Sequence, residues 1–358
     1  MHNTIIGIGN CGSQIVKAAA MSSKLTDTKF YSIDSQTSSI DMGAVDVTYI
    51  PIISDEKTGS GRNRERGNAM YCFHESQGEF EEMYKDCQNS KSPVVVITSA
   101  AGGTGSGAVV PLCKSLMSRE VQVIPIIICP NLNDPDAYQL NTADLMLELQ
   151  EAGIETYCIF RNIRGDADYT PVNNDVVNAI EIIFGKRYDH TDLDSIDDSD
   201  LDVILDTPGR FVAITAEASD IESLKKELTR KIRTGYQPSW TDDEANKCTF
   251  MVAYSLTSLF AKQDFREVFS EVNNRIVHMY DEYRNICQID NDGKCTATLI
   301  VAGLPRAEMK LISSNFNEAS AIGDGIEKSK RPKFMQRKKA VVTPPSDGSA
   351  MSAFKWKK

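Results

Sequence analysis

The chain has no run of about 18 apolar residues, so no membrane-spanning helix is expected. Its start, Met-His-Asn-Thr, runs straight into Ile5-Ile6-Gly7. That reads as a strand entering a loop; a signal peptide would show a basic start and a longer apolar stretch. A cytoplasmic location and no membrane partner are therefore expected. Nine cysteines are present, an odd number, and no two have the C-x-x-C spacing. This argues against a disulfide framework and against a zinc site. Reduced, buried thiols are expected, with Cys11 set apart because it lies inside a glycine loop. Histidine is scarce, four in 358 residues, and none stands near a motif. No internal repeat is visible.

What is present is ordinary in bulk and uneven in distribution. Apolar residues make up 41 % and charged residues 25 %, as in soluble globular proteins, and the length favours two domains. From residue 328 to 358 there are ten Lys/Arg and one Asp, a balance of +9. With a total of −11, the preceding 327 residues carry −20. An acidic body with a basic end points to an acidic partner for that end.

The first third alternates between two periodicities. Strands are expected at Thr4–Ile8, Lys29–Asp34, Val47–Ile53, Pro93–Thr98, Val121–Cys129 and Glu155–Phe160. The four consecutive β-branched residues Val94–Ile97 fit a strand buried on both faces of a parallel sheet. Helices are expected over Ser13–Ala20, Met70–Cys87, Ala108–Arg119 and Asn141–Glu151. Alternation of this kind predicts a doubly wound α/β domain with a parallel, Rossmann-like sheet. From Asn174 the residues Val176, Val177, Ile180, Ile183 and Phe184 recur at helical spacing and predict a long amphipathic helix ending near Gly185. An acidic loop over 189–206 follows. A second, smaller α+β domain is expected over 210–305, with strands at Arg210–Thr215, Thr249–Ser258 and Thr296–Gly303 and helices at Ser219–Thr234 and Lys262–Tyr283. The segment after 306 holds a short helix and a tail rich in Lys, Ser and Pro, a composition that is disordered when alone.

Two glycine loops carry the chemistry. Gly7-Ile8-Gly9-Asn10-Cys11-Gly12 follows a strand and opens a helix. Glycines let backbone N–H groups approach a phosphate, and a helix N-terminus adds partial positive charge. Asp34 ends the next strand, where a dinucleotide enzyme keeps its ribose acid. Alone, this loop favours an NAD-dependent oxidoreductase. The second loop, Gly102-Gly103-Thr104-Gly105-Ser106-Gly107, shifts the balance. A dinucleotide fold has no need of a second phosphate cradle of this size, whereas a triphosphate can be held from both ends, with the hydroxyls of Thr104 and Ser106 as added donors. Neither loop carries the Gly-Lys-Ser/Thr of a P-loop.

The motif GGTGSG at 102–107 is the signature of tubulin and FtsZ, and Gly9-Asn10-Cys11-Gly12-Ser13-Gln14-Ile15 resembles tubulin's GQCGNQI. Over residues 1 to 305 the chain resembles this GTPase superfamily. The resemblance implies a GTP-binding domain at 1–173, a central helix and acidic catalytic loop at 174–209, an activation domain at 210–305 and a C-terminal helix with a basic tail at 306–358. It implies GTP or GDP with Mg²⁺, and no metal ligand from the protein itself. Gly61, Arg62 and Asn63 fall where the family places a loop near the γ-phosphate. Asn162 and Asn174 fall on its guanine-contacting asparagines, whose amides pair with guanine's donor and acceptor edge. Tyr169 is the expected aromatic stacker on the base. Ser195-Ile196-Asp197-Asp198-Ser199-Asp200-Leu201 falls on the family's NxDxxD segment, with Ser195 replacing the leading asparagine. That assigns Asp197 and Asp200 a catalytic role in the site of a neighbouring subunit, with Asp198 and Asp202 as alternatives in another register. The basic cluster at 328–339 and the terminal Phe354-Lys355-Trp356-Lys357-Lys358 resemble the TubZ group of plasmid and phage partition proteins. The implied function is a homopolymeric filament that hydrolyses GTP at its joints, with a DNA-bound adaptor, or DNA itself, on the tail at 328–358.

Overall fold

The computed structural model describes residues 2–35, 45–54, 65–131, 133–163, 168–185, 198–238, 240, 244, 250–255 and 295–305. The strands expected in the first third form β1 (Asn3–Ile8), β2 (Thr28–Asp34), β3 (Thr48–Pro51), β4 (Val94–Ser99), β5 (Val123–Cys129) and β6 (Thr156–Arg161). All six are parallel, in the order β3-β2-β1-β4-β5-β6. The sheet continues through β7 (Gly209–Ala218), parallel to β6, and then antiparallel through β9 (Cys295–Leu304) and β8 (Phe250–Ser255).

The helices are α1 (Gly9–Ala20), α2 (Arg66–Glu75), α3 (Glu81–Gln88), α4 (Thr104–Met117), α5 (Asp136–Glu151), α6 (Thr170–Ile183), α7 (Asp198–Leu205) and α8 (Ile221–Thr234). Two apolar cores form because the central strands carry apolar side chains on both faces. Ile5, Val95, Ile97 and Ile126 point toward α1 and α6, while Ile6, Ile8, Val96 and Ile127 point toward α2 to α5. Val94 to Ile97 are wholly buried, and each such side chain contributes about 1.5–3 kcal/mol by leaving water. A third core joins β7 and β9 to Leu224, Leu228 and Ile232 of α8.

Several elements depart from expectation. The helix foreseen over 70–87 is broken into α2, a 3-10 turn at Gln77–Phe80 and α3. The break turns Phe80 inward, where its ring stacks on Phe73 at 5.0 Å. The acidic stretch 189–206 is not loop throughout: Asp198–Leu205 is helical, because Leu201, Ile204 and Leu205 share one face and bury it. Helices α1, α4, α5 and α6 start four or five residues before the residue expected to begin each. The helix foreseen at 262–283 and the tail at 328–358 lie outside the described residues. Among the described residues no helix is long and apolar enough to cross a membrane.

Candidate functional site

In the sheet, the chain leaves β1 toward β2 on one side, while β4 lies on the other. Such a switch in strand order opens a crevice at the carboxyl ends of the strands, where ligands of open α/β sheets bind. Here the crevice is lined by both glycine turns. α1 begins at Gly9 directly after β1, and α4 begins at Thr104 shortly after β4. Neither helix has a side-chain cap at its start, whereas α8 is closed by Asp220, whose carboxylate accepts from the Ser223 amide at 2.8 Å. The positive ends of two helices therefore face the same crevice.

The two turns touch. Gly9 has φ +71°, and a Cβ there would stand 3.1 Å from the Gly105 nitrogen. A Cβ on Gly105 would stand 2.2 Å from Thr98 Oγ1 and 3.0 Å from the Ile8 carbonyl oxygen. Only glycine allows this approach. At Gly102 a Cβ would meet nothing within 4 Å, so this part of the turn borders open space.

Around this junction the predicted residues gather. Asn10 and Gln14 are exposed and lie one turn apart on α1. Gly12 is buried on the same turn, and Cys11 is half-buried. Burial pushes the Cys11 thiol up to about 12, so it stays protonated and is no nucleophile at neutral pH. Asp34 ends β2, buried, and its Oδ1 accepts from the Ser35 amide at 2.7 Å. The Ser35 hydroxyl is 2.8 Å from Thr104 Oγ1, which ties the end of β2 to the second turn. Gly103 precedes α4, and Gly107 completes its first turn beneath α2. The Ser106 hydroxyl is engaged inside the loop: it donates to the Gly102 carbonyl and accepts from Arg66 Nε. What Ser106 can still offer a ligand is therefore backbone.

Farther along the same edge, Asn162 follows β6, and its amide donates to the Cys129 carbonyl at 3.1 Å. Tyr169 precedes α6 with 55 % of its surface exposed, and Asn174 is exposed one turn later. These three lie two strand spacings from β4, roughly 10 Å along the sheet.

The remaining expected site residues fall into two groups. Gly61, Arg62, Asn63 and Asp197 lie outside the described residues. Asp200, with Asp198 and Asp202, belongs to α7, which is anchored at the other end of the sheet. Just beyond α7, Asp206 accepts from Gln122 Nε2 at 2.5 Å, and the Thr207 carbonyl accepts from Thr156 Oγ1 at 3.0 Å. Gln122 and Thr156 stand at the amino ends of β5 and β6. The 14-residue α6, roughly 20 Å long, separates this edge from Asn162 and Tyr169.

Sequence reasoning missed three contributors: Ser35, Arg66 and Asn141, whose Nδ2 donates to the Ala101 carbonyl at 3.1 Å. No local pattern marks them, since each acts on an element 40 or more residues away.

Residues 3–164 match the Tubulin/FtsZ family, GTPase domain. No curated protein matches the chain in sequence. Among solved structures, the GDP-bound monomer of CetZ1 from Haloferax volcanii is similar with a TM-score of 0.70 at 16 % identity, over 89 % of this chain and 100 % of that one. The GTPγS-form protofilament of TubZ from Bacillus thuringiensis serovar israelensis is similar with a TM-score of 0.68 at 16 % identity, over 91 % of each chain. The FtsZ dimer of M. jannaschii follows with 0.62 at 14 %, over 84 % and 88 %. The fold is that of tubulin and FtsZ.

Proposed function

Starting from a tubulin/FtsZ fold whose residues 3–164 carry that GTPase domain, we propose that this protein polymerises head-to-tail and hydrolyses GTP at the joints between subunits. The observation that carries the reading is the meeting of two glycine turns, Gly9 against Gly105, at the starts of two helices beside one crevice. Backbone donors from both turns would hold the phosphate chain. The nucleoside would extend along the carboxyl edge, with Tyr169 stacking on the base and Asn162 and Asn174 reading guanine. Gly61, Arg62 and Asn63 would close the γ-phosphate end. Among the described residues no group of three or more His, Cys, Asp or Glu could hold a metal, and the crevice offers mainly N–H donors. Mg²⁺ would bind chiefly through the phosphates, supplying charge neutralisation there.

Asp197 and Asp200 would act in the neighbouring subunit. α7 is tied to the amino edge, so it cannot reach the crevice of its own chain. Head-to-tail stacking presents one subunit's amino edge to the next one's carboxyl edge, where a carboxylate can orient the attacking water. On this reading 1–173 binds nucleotide, 174–209 connects and catalyses, 210–305 is the activation domain and 306–358 a helix and basic tail. The tail's +9 balance supports binding to a DNA-bound adaptor or to DNA, and a role in segregating plasmid or phage DNA.

The test is GTP turnover per subunit as protein concentration rises, with pelleting of the same samples. Turnover that is negligible below a threshold and climbs with pelletable polymer is expected. A constant rate per subunit without polymer would remove the shared site. An NAD enzyme is disfavoured by the second glycine turn; stabilisation by NAD but not by GTP in a melting assay would revive it.

A further inference from the structure

We infer that Arg66 is a positioning residue that fixes the Gly102–Ser106 turn against α5, and so sets how that turn meets a phosphate chain. The inference rests on the GTP reading above and concerns a residue that no motif singles out.

Arg66 is the first residue of α2, directly downstream of residues 55–64. Its side chain is only 10 % exposed, and all three guanidinium nitrogens are in use. Nε donates to Ser106 Oγ at 3.1 Å, and Nη2 donates to the Ser106 carbonyl at 2.8 Å. Nη2 also donates to Glu148 Oε2 at 2.6 Å, and Nη1 to Glu148 Oε1 at 3.1 Å, while Asp144 Oδ2 stands 4.0 Å from Nη1. Because Ser106 donates in turn to the Gly102 carbonyl, one chain of bonds runs from Glu148 through Arg66 and Ser106 to Gly102. Gly102 borders the open space of the crevice.

A cation beside the first turn of a helix opposes the helix dipole. Glu148 and Asp144 offset that charge. They also occupy the guanidinium, so Arg66 shapes the cradle and leaves phosphate binding to the backbone. The backbone of Arg66 takes part as well: a Cβ on Gly107 would stand 2.3 Å from the Arg66 carbonyl oxygen, so α2 and α4 approach closely only over that glycine. Lysine cannot replace this arrangement, because a single ammonium lacks the planar fork that serves Ser106 and Glu148 together.

The experiment uses the full chain and measures Kd for GMP, GDP and GTP by competition with a fluorescent GTP analogue. Wild type is expected to gain affinity from GMP to GTP. R66K is expected to weaken GDP and GTP by about tenfold or more, as for a lost charge-assisted hydrogen bond, while GMP changes little. E148Q should shift the same ratio in the same direction by less, and it carries the test if R66K does not fold. Equal loss for all three nucleotides, or no loss, would make Arg66 a general structural residue and overturn the inference. A wild-type protein that does not bind GTP would instead overturn the GTP reading itself.

Discussion

At the carboxyl edge of the sheet two helices start without side-chain caps, and at the amino edge carboxylate side chains are held by hydrogen bonds. The carboxyl edge presents the open starts of α1 and α4 and the glycine turns that bring them together. The amino edge carries α7, the Gln122–Asp206 bond, and Asp86, which accepts from Lys29 Nζ at 2.8 Å and from the Tyr31 hydroxyl. Amide donors suit an anion at any pH, whereas carboxylates suit a water molecule that must be oriented. A parallel sheet forces this separation, because every βα turn falls on one edge. On the proposed function, a subunit built this way would hold half of a hydrolytic site at each end.

The largest expected effect breaks the amino edge alone. D200N should lower GTP turnover by about a hundredfold or more, the usual loss when a positioned acid or base is removed. GTP binding and sedimentable polymer should persist, since α7 lies away from the glycine turns. Parental turnover in this variant would mean that the acidic segment has another register or another role.

Next in size is a change at the carboxyl edge that distinguishes packing from binding. G105A places a methyl 2.2 Å from Thr98 Oγ1 and 3.0 Å from a backbone carbonyl. Overpacking of this kind costs about 1–3 kcal/mol, so melting temperature and GTP affinity should fall together. G102A places its methyl in open space. It should leave the melting temperature of the nucleotide-free protein unchanged and still weaken GTP binding, because the added group would occupy the ligand's space. If G102A bound GTP like the parent, the crevice beside Gly102 would not be where the phosphates lie.

The two edges also differ in how far the sequence discloses them. The glycine turns were legible because a close backbone approach admits one residue type, and that need stays local. The buried strands were legible because Val94–Ile97 and the apolar run of β5 have no polar position to expose. The start of α4 was hidden by the same glycines: their propensity reads as a turn, yet Thr104–Gly107 is helical because α2 packs against it. The helix α7 was hidden by its charge, since three apolar residues at helical spacing make a faint signal among aspartates. Arg66 and Glu148 left no trace, being 82 residues apart.

The smallest effect concerns the amino edge as a folding element. Burial raises the Asp86 pKa, but hydrogen bonds from Lys29 and Tyr31, with the charges of Lys29 and His2, outweigh it and hold the carboxyl below its ordinary value. A depressed carboxyl contributes stability above its unfolded pKa and loses it as pH falls through the folded one. The contribution should thus be complete at neutral pH and disappear below about pH 4. It is modest, because Lys29 is nearly half exposed to solvent. D86N should melt slightly below the parent at pH 7, with the two curves converging under acid. A constant difference across that range would mean that Asp86 acts by packing and not by charge. GTP affinity measured on the same variant at neutral pH should equal the parental value, because Asp86 stands at the far end of the sheet from the glycine turns, and a loss there would show that the two edges are coupled within a single subunit.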